Sequence, residues 1–254
     1  YACLLTPQGK FLFDFFIAQI GEEILIDCES SRKDELKKRL MMYKLRSNVA
    51  VEDVSGKYEV VALLGDVVTK HEELGEKAPG KTIKFCKGIA YLDPRTEKLF
   101  ARSITEKTDS YKSFEEKGFL PGNIEEYEHL RISLTVPDGG KDLQPDKSFP
   151  LHNRLDELNA IDFNKGCYVG QEVTARSKHR GNIRKTLFTI ETEGKNVPAQ
   201  GTEIKSGDKN VGTVLSGINN IGIAMIENDA ANMTNLTAHA EGLAIRHADD
   251  SLPE

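Results

Sequence analysis

No stretch of the 254-residue sequence comes near the ~18 uninterrupted apolar residues that a membrane-spanning helix requires, and the greasiest run, Phe11–Ile20, already holds Asp14. An integral protein built on spanning helices is excluded. The opening residues show neither a basic-then-apolar signal peptide nor a transit peptide, and a chain beginning at Tyr1 is expected to lack its initiator region. Cysteine is scarce: Cys3, Cys28, Cys86 and Cys167 form no CxxC pair. That spacing excludes a disulfide ladder, and also a zinc site or iron–sulfur cluster held by this chain alone. A reducing compartment is expected. The six histidines supply no HxxxH or HExxH pattern. Net positive charge is absent too, since 34 basic residues face 40 acidic ones for a total of −6, so the chain as a whole is not patterned for nucleic acid.

What is present is the profile of a globular protein: 39% hydrophobic and 29% charged residues, neither disordered nor collagen-like. The length suits one large domain or two modest ones. Two apolar runs, Tyr1–Leu5 and Phe11–Ile17, flank Thr6-Pro7-Gln8-Gly9-Lys10 and predict an opening β-hairpin. In its second strand Phe11, Phe13 and Phe15 share one face, and Leu12, Asp14 and Phe16 the other. A strand apolar on both faces is covered on both, which makes Asp14 a buried or pocket-lining carboxylate. Glu23–Asp27 reads as a third strand. Ser31 and the acids after it read as a helix N-cap and first turn.

A second hairpin is expected from Val49–Val54 and Tyr58–Leu64, a weak helix over Asp66–Leu74, extended segments at Lys81–Tyr91 and Leu99–Ser103, and a polar helix over Asp109–Lys117. Asn123 is placed to cap a helix over Ile124–Ser133. After Arg180 come short β-like runs, Thr186–Glu191, Val211–Ser216, Asn220–Ile226 and Leu243–His247, divided by Gly, Asn and Asp; these predict a small all-β barrel or sandwich. The domains expected are an α+β region over 1–180 and a barrel over 181–254.

Gly75–Thr82 spells GxxxxGK[ST], but a phosphate loop needs a buried strand before it and a helix after it. Here a polar, helix-leaning His71-Glu72-Glu73-Leu74 precedes and the strand-like Ile83-Lys84-Phe85-Cys86 follows, with Glu76 where phosphate would sit. A polar surface turn is expected instead.

Lys165-Gly166-Cys167-Tyr168-Val169-Gly170-Gln171-Glu172 sets two glycines around a lone cysteine ahead of a helix-compatible segment, Gln171–Arg176. A thiol near a helix N-terminus and a lysine should have a stabilised thiolate. Lys165–Lys185 also holds six basic residues against the single acid Glu172, a local charge of +5 that leaves −11 for the rest of a chain totalling −6. Such a patch attracts anions.

K-G-C-Y-x-G-Q-E, at Lys165–Glu172, resembles the signature of the YgfZ family of folate-binding proteins, which includes bacterial iron–sulfur maintenance factors and their mitochondrial relatives. The opening Leu5–Asp14 is similar to that family's early hairpin, and Arg184 onward, with Val211–Ser216, to its C-terminal barrel. The resemblance implies the fold of the glycine-cleavage T-protein: α+β folate-binding units with a C-terminal all-β barrel, the N-terminal part of the family domain being missing. It implies tetrahydrofolate as ligand, and a role supporting assembly or repair of 4Fe-4S clusters in client enzymes, including radical enzymes that modify tRNA. The motif cysteine corresponds to Cys167, which would act as a redox-active or transient cluster-contacting thiolate. The ligand- or client-binding set would be Lys165, Gly166, Tyr168, Gly170, Gln171 and Glu172, joined by Arg176 and Asp14.

Two departures stand out. The T-protein has a pair of acids where this chain has Phe13-Asp14, and many relatives have Pro-Leu-Glu where this chain has Pro150-Leu151-His152. The alternative function is a folate-dependent aminomethyl or one-carbon transferase with Asp14 as acid–base group. Expected partners are folate and iron–sulfur clients or assembly machinery. Neither a membrane nor direct nucleic-acid binding is expected, since the basic patch has no aromatic ladder. The expected compartment is the bacterial cytoplasm, with the mitochondrial matrix as alternative.

Overall fold

A computed structural model describes all residues except 72–73, 75–77, 79, 109, 182, 239–240 and 247–254. The chain sorts into two compact units, one of residues 1–2 and 13–122, the other of residues 3–12 and 123–254.

The chain opens with β1 (Ala2–Leu5), β2 (Phe11–Ile20) and β3 (Glu23–Cys28), hydrogen-bonded in the order β1-β2-β3. β2 is central, as its two apolar faces require. A 3-10 turn at Ser30–Arg32 leads into α1 (Lys33–Lys44), whose N-cap is Arg32 with no side-chain cap. The serine cap does not form, because Ser31 spends its hydroxyl on the Glu29 carboxylate.

In the first unit β4 (Tyr58–Leu63), β5 (Thr82–Phe85), β6 (Gly88–Leu92) and β7 (Ala101–Glu106) form an antiparallel sheet in the order β4-β7-β6-β5. The period of two decides its packing. Ala90 and Leu92 of β6 turn to a core with Leu63, Val68, Phe85, Phe114 and Phe119. Ile89 and Tyr91 turn the other way, to Phe16, Ala18 and Leu25. The helices of the first core are α2 (Asp66–Lys70) and α3 (Ser110–Glu115). Residues 49–54, expected as a strand, form none: apart from Val51 they are exposed, so no buried face rewards pairing with β4, the edge of the sheet. Of the GxxxxGK[ST] stretch, Gly75, Glu76, Lys77 and Pro79 lie outside the described residues. Thr82 opens β5, so a strand follows where a phosphate loop needs a helix.

In the second unit Asn123 caps α4 (Ile124–Ser133), its side chain accepting from the Glu125 N–H at 3.1 Å. α5 (Gln171–Arg180) runs one turn beyond the segment anticipated. β8 (Lys185–Thr192), β9 (Glu203–Ser206), β10 (Lys209–Ile218), β11 (Ile221–Glu227), β12 (Leu236–Ala238) and β13 (Glu241–Arg246) close a barrel in the order β10-β11-β8-β13-β12-β9. Its interior is Ile190, Ile204, Val211, Val214, Ala224 and Ile226.

The barrel begins just past residue 180, yet α4 belongs to the same unit. Ile132 packs with Leu187, Ile221 and Ile223, and Thr189 donates to the Ile132 carbonyl at 2.7 Å. Arg131, 1% exposed, joins Glu128 at 2.8 Å, Asp142 at 2.9 Å and Ser216 at 3.3 Å, fastening α4 and the following loop to the barrel.

Candidate functional site

Both motifs singled out in the sequence meet within the second unit. The β1–β2 turn is closed by Thr6 N–H donating to Lys10 O at 2.8 Å and Gly9 N–H donating to Thr6 O at 2.9 Å. Gly9 has φ +72° and Gly170 has φ +85°. A Cβ on Gly170 would lie 2.6 Å from Thr6 O and 3.0 Å from Gly9 Cα, while one on Gly9 would lie 3.1 Å from Val173 Cβ. Backbone therefore lies directly on backbone, an approach only glycine allows. Gly170 is also the N-cap of α5, and its carbonyl accepts from Thr174 N–H at 3.2 Å and Thr174 Oγ1 at 3.0 Å. Gln171 locks the turn before it: its Oε1 accepts from Tyr168 N–H at 3.4 Å, and its own N–H donates to Tyr168 O at 3.2 Å. Gly170 and Gln171 thus shape the motif loop.

That braced loop presents Cys167 as an exposed free thiol. Gly166 has open space around it. Lys165 lays its Nζ 5.1 Å from the Tyr168 ring centroid, a cation–π contact. The Tyr168 hydroxyl is buried and has no hydrogen-bond partner among the described residues. Burial, with smaller contributions from Cys3 and Asp162, pushes its pKa above the ordinary tyrosine value.

The cationic stretch is more neutralised than its composition suggests. Arg176 pairs with Glu172 one turn earlier, Lys178 with Asp156 at 2.6 Å, and Lys185 with Glu227 at 3.7 Å. Arg180's side chain lies outside the described residues. Glu172 and Arg176, expected to touch a ligand, engage each other, but both are exposed. Such an i,i+4 pair is worth only ~0.3–0.5 kcal/mol, so an incoming anion can take the guanidinium.

Beside the glycine seam lies a cavity of about 210 Å³, lined by Gly9, Phe149, Leu151, His152, Val173 and Thr174. The half-buried His152 ring packs 5.6 Å from Phe149, and burial pushes its pKa down, favouring the neutral imidazole. Lys10 Nζ stands 6.0 Å from the Phe149 ring. The sequence marked His152 only as a departure. The cavity itself is formed by residues from three separate stretches, and only the Val173, Thr174, Ser177 face of α5 hints at it.

A cavity of this volume takes a ring-sized group and is below the ~300 Å³ at which whole-ligand pockets begin. His152 and Thr174 bring polar side chains to its wall. Asp14 belongs to the first unit, half-buried on β2, where its Oδ2 accepts the Tyr1 hydroxyl at 2.8 Å.

Among the described residues no group of three or more His, Cys, Asp or Glu is arranged to hold a metal ion.

Residues 184–251 match the family described as CAF17, C-terminal beta-barrel domain. Over 243 residues the chain is 33% identical to the mitochondrial iron-sulfur cluster assembly factor IBA57 of Mus musculus, a match covering 90% of this chain and 65% of that protein. The Homo sapiens IBA57 is 32% identical over 239 residues, covering 89% and 64%. The chain therefore spans slightly less than two thirds of these relatives' length, and they carry the name IBA57 rather than YgfZ. Among solved structures, the glycine cleavage system aminomethyltransferase T from Bartonella henselae superposes with a TM-score of 0.68 at 12% identity, covering 96% of this chain and 73% of that one. At that identity the likeness concerns the fold. The chain is thus similar to the IBA57 iron-sulfur cluster assembly factors over nine-tenths of its length, on the T-protein fold and with a C-terminal barrel of the CAF17 kind.

Proposed function

We propose that this chain is an iron–sulfur cluster assembly factor in which Cys167 is the working group. The observation that carries the reading is an exposed thiol on a loop held by a glycine-on-glycine seam, in a chain similar to proteins named for that role. The cysteine spacing leaves no set of ligands for a resident cluster, so the cluster is cargo, brought by a partner. Cys167, having lost its proton to solvent, donates a sulfur lone pair to a cluster iron and displaces the partner's ligand, which departs with the partner. Lys165, two residues earlier in the same loop and resting on the Tyr168 ring, supplies a positive charge to offset the negative charge that a thiolate-ligated cluster carries. The clients in this reading are 4Fe-4S enzymes, tRNA-modifying radical enzymes among them. The relatives' names favour the mitochondrial matrix over the bacterial cytoplasm as the compartment.

Tetrahydrofolate is the small-molecule ligand in the same reading. Its ring would be held by His152 and Thr174, and its anionic tail would be drawn to the cations Lys10 and Arg176. What it would supply is occupancy that orders the motif loop.

Two experiments test the two parts separately. In cells lacking the endogenous factor, Cys167→Ser should abolish 4Fe-4S client activity while the purified variant unfolds like the wild type. Normal client maturation would end the thiolate role. Calorimetric titration with tetrahydrofolate should be saturable and weakened in His152→Leu and Arg176→Ala; no heat in the wild type would remove folate and leave the cluster role standing.

A further inference from the structure

The strongest concentration of unpaired charge is not the motif patch but the C-terminal half of α1. Residues 37–46, Lys-Lys-Arg-Leu-Met-Met-Tyr-Lys-Leu-Arg, hold five cations and no acid. Among the described residues none of Lys37, Lys38, Arg39, Lys44 and Arg46 has an ion pair, whereas Arg32 and Lys33 just before them are paired with Glu35 and Asp53. Apolar side chains stand among these cations in the open: Met41 45% exposed, Met42 62%, Tyr43 53% and Leu45 86%. Leu36 is the buried anchor of the helix. Lys38, Met41 and Met42 follow i, i+3, i+4 spacing, so they form one contiguous outer face of the helix, and the exposed Leu45 follows just past its end. Leu45, the first residue past the helix, has φ +47°, uncommon for a residue with a side chain.

Cations at a helix C-terminus complement the dipole, and a single exposed methionine needs no explanation. Neither accounts for two methionines and a lysine on one outward face, with Leu45 exposed just beyond them, among four further cations without ion pairs. From Leu36 to Arg46 the side chains are only Lys, Arg, Leu, Met and Tyr. The run holds no Asn, Gln, Ser, Thr, Asp or Glu, so it lacks the side chains that read adenine and cytosine edges and most of the polar groups that fasten a protein interface, and its single aromatic makes no stacking ladder. Cationic heads on carbon stems around an apolar patch match a surface that is phosphate outside and hydrocarbon just beneath.

We propose that this face of α1 docks the protein on an anionic phospholipid surface, Met41, Met42 and Leu45 entering the headgroup boundary while the cations meet lipid phosphates. The proposal is independent of the Cys167 reading. It concerns a helix lying on the membrane; among the described residues no helix is long and apolar enough to cross one.

The test is flotation of the full chain with phosphatidylcholine vesicles, with and without phosphatidylglycerol, at low and high salt. Binding should require the anionic lipid and fall with salt. At about fivefold per basic residue near the surface, Lys38→Gln/Arg46→Gln should weaken it roughly 30-fold. Met41→Ser/Met42→Ser/Leu45→Ser should lose it while keeping the wild-type circular dichroism. Because the sequence holds no tryptophan, Met42→Trp is a clean reporter, and its emission should shift to the blue on anionic vesicles and stay unchanged on neutral ones. Equal binding to neutral vesicles, no flotation at low salt, or binding that both multiple variants retain would overturn the proposal. RNA bound through the same cations by a protein that ignores vesicles would overturn it as well, and reassign the face.

Discussion

Replacing Gly170 by alanine tests the glycine seam and, through it, the placement of the motif loop. Two costs add. At φ +85° a side chain sits in the left-handed region, at about 1–2 kcal/mol. The new Cβ also meets Thr6 O at 2.6 Å and Gly9 Cα at 3.0 Å, both backbone. Thr6 O is held by the Gly9 N–H at 2.9 Å, so relief requires opening the β1–β2 turn, and overpacking of this kind costs about 1–3 kcal/mol. The sum, about 2–5 kcal/mol, is a large part of the ~5–15 kcal/mol that holds a typical domain together. For a chain this size it corresponds to a fall in Tm of roughly 10 °C.

The assay is thermal and urea unfolding of Gly170→Ala beside Gly166→Ala, whose Cβ would meet nothing within 4 Å and which should change stability by less than ~0.5 kcal/mol. Alkylation of Cys167 should become faster in Gly170→Ala as the loop loosens. If the two variants unfold alike and alkylate alike, the seam does not hold the loop and the reasoning fails.

Arg131→Met should cost about 3–5 kcal/mol in urea unfolding, because it strands the Asp142 carboxylate, whose side chain is wholly buried; a loss below ~1 kcal/mol would refute that reading. Adding Asp142→Leu to that variant should recover part of the loss. His152 prefers the neutral form when folded, so below its ordinary pKa of ~6.5 the unfolded chain takes up a proton that the folded chain resists. Stability should therefore drop as pH falls from about 6.5, and His152→Leu should flatten that part of the curve; an unchanged slope would show that the ring is freely solvated. Gly9→Ala, with contacts of 3.1–3.2 Å and φ +72°, should destabilise in the same direction as Gly170→Ala, checked in the same melts.

What the sequence determined by itself was whatever depends on neighbours a few residues apart. The two apolar faces of β2 dictate a covered central strand, Asn123 dictates a helix start, and the β-like runs after 183 dictate an all-β unit, barrel or sandwich, since period and capping are local rules; that the unit closes into a barrel was decided by long-range pairing. Local rules also overreached: residues 49–54 have β-like composition but are almost all exposed, with no core to reward pairing, and Ser31 has a nearer partner in Glu29. β9 and β12 escaped notice because strands of four and three residues show too little alternation.

The site divides along the same line. An exposed thiol among glycines was legible at Cys167. The tertiary structure alone decided that Gly9 lies on Gly170, that the cations after Cys167 are largely spent on Glu172, Asp156 and Glu227, and that His152 closes a cavity. Each joins residues from distant parts of the chain, and no periodicity records which distant backbone a glycine will touch or which acid a lysine will meet.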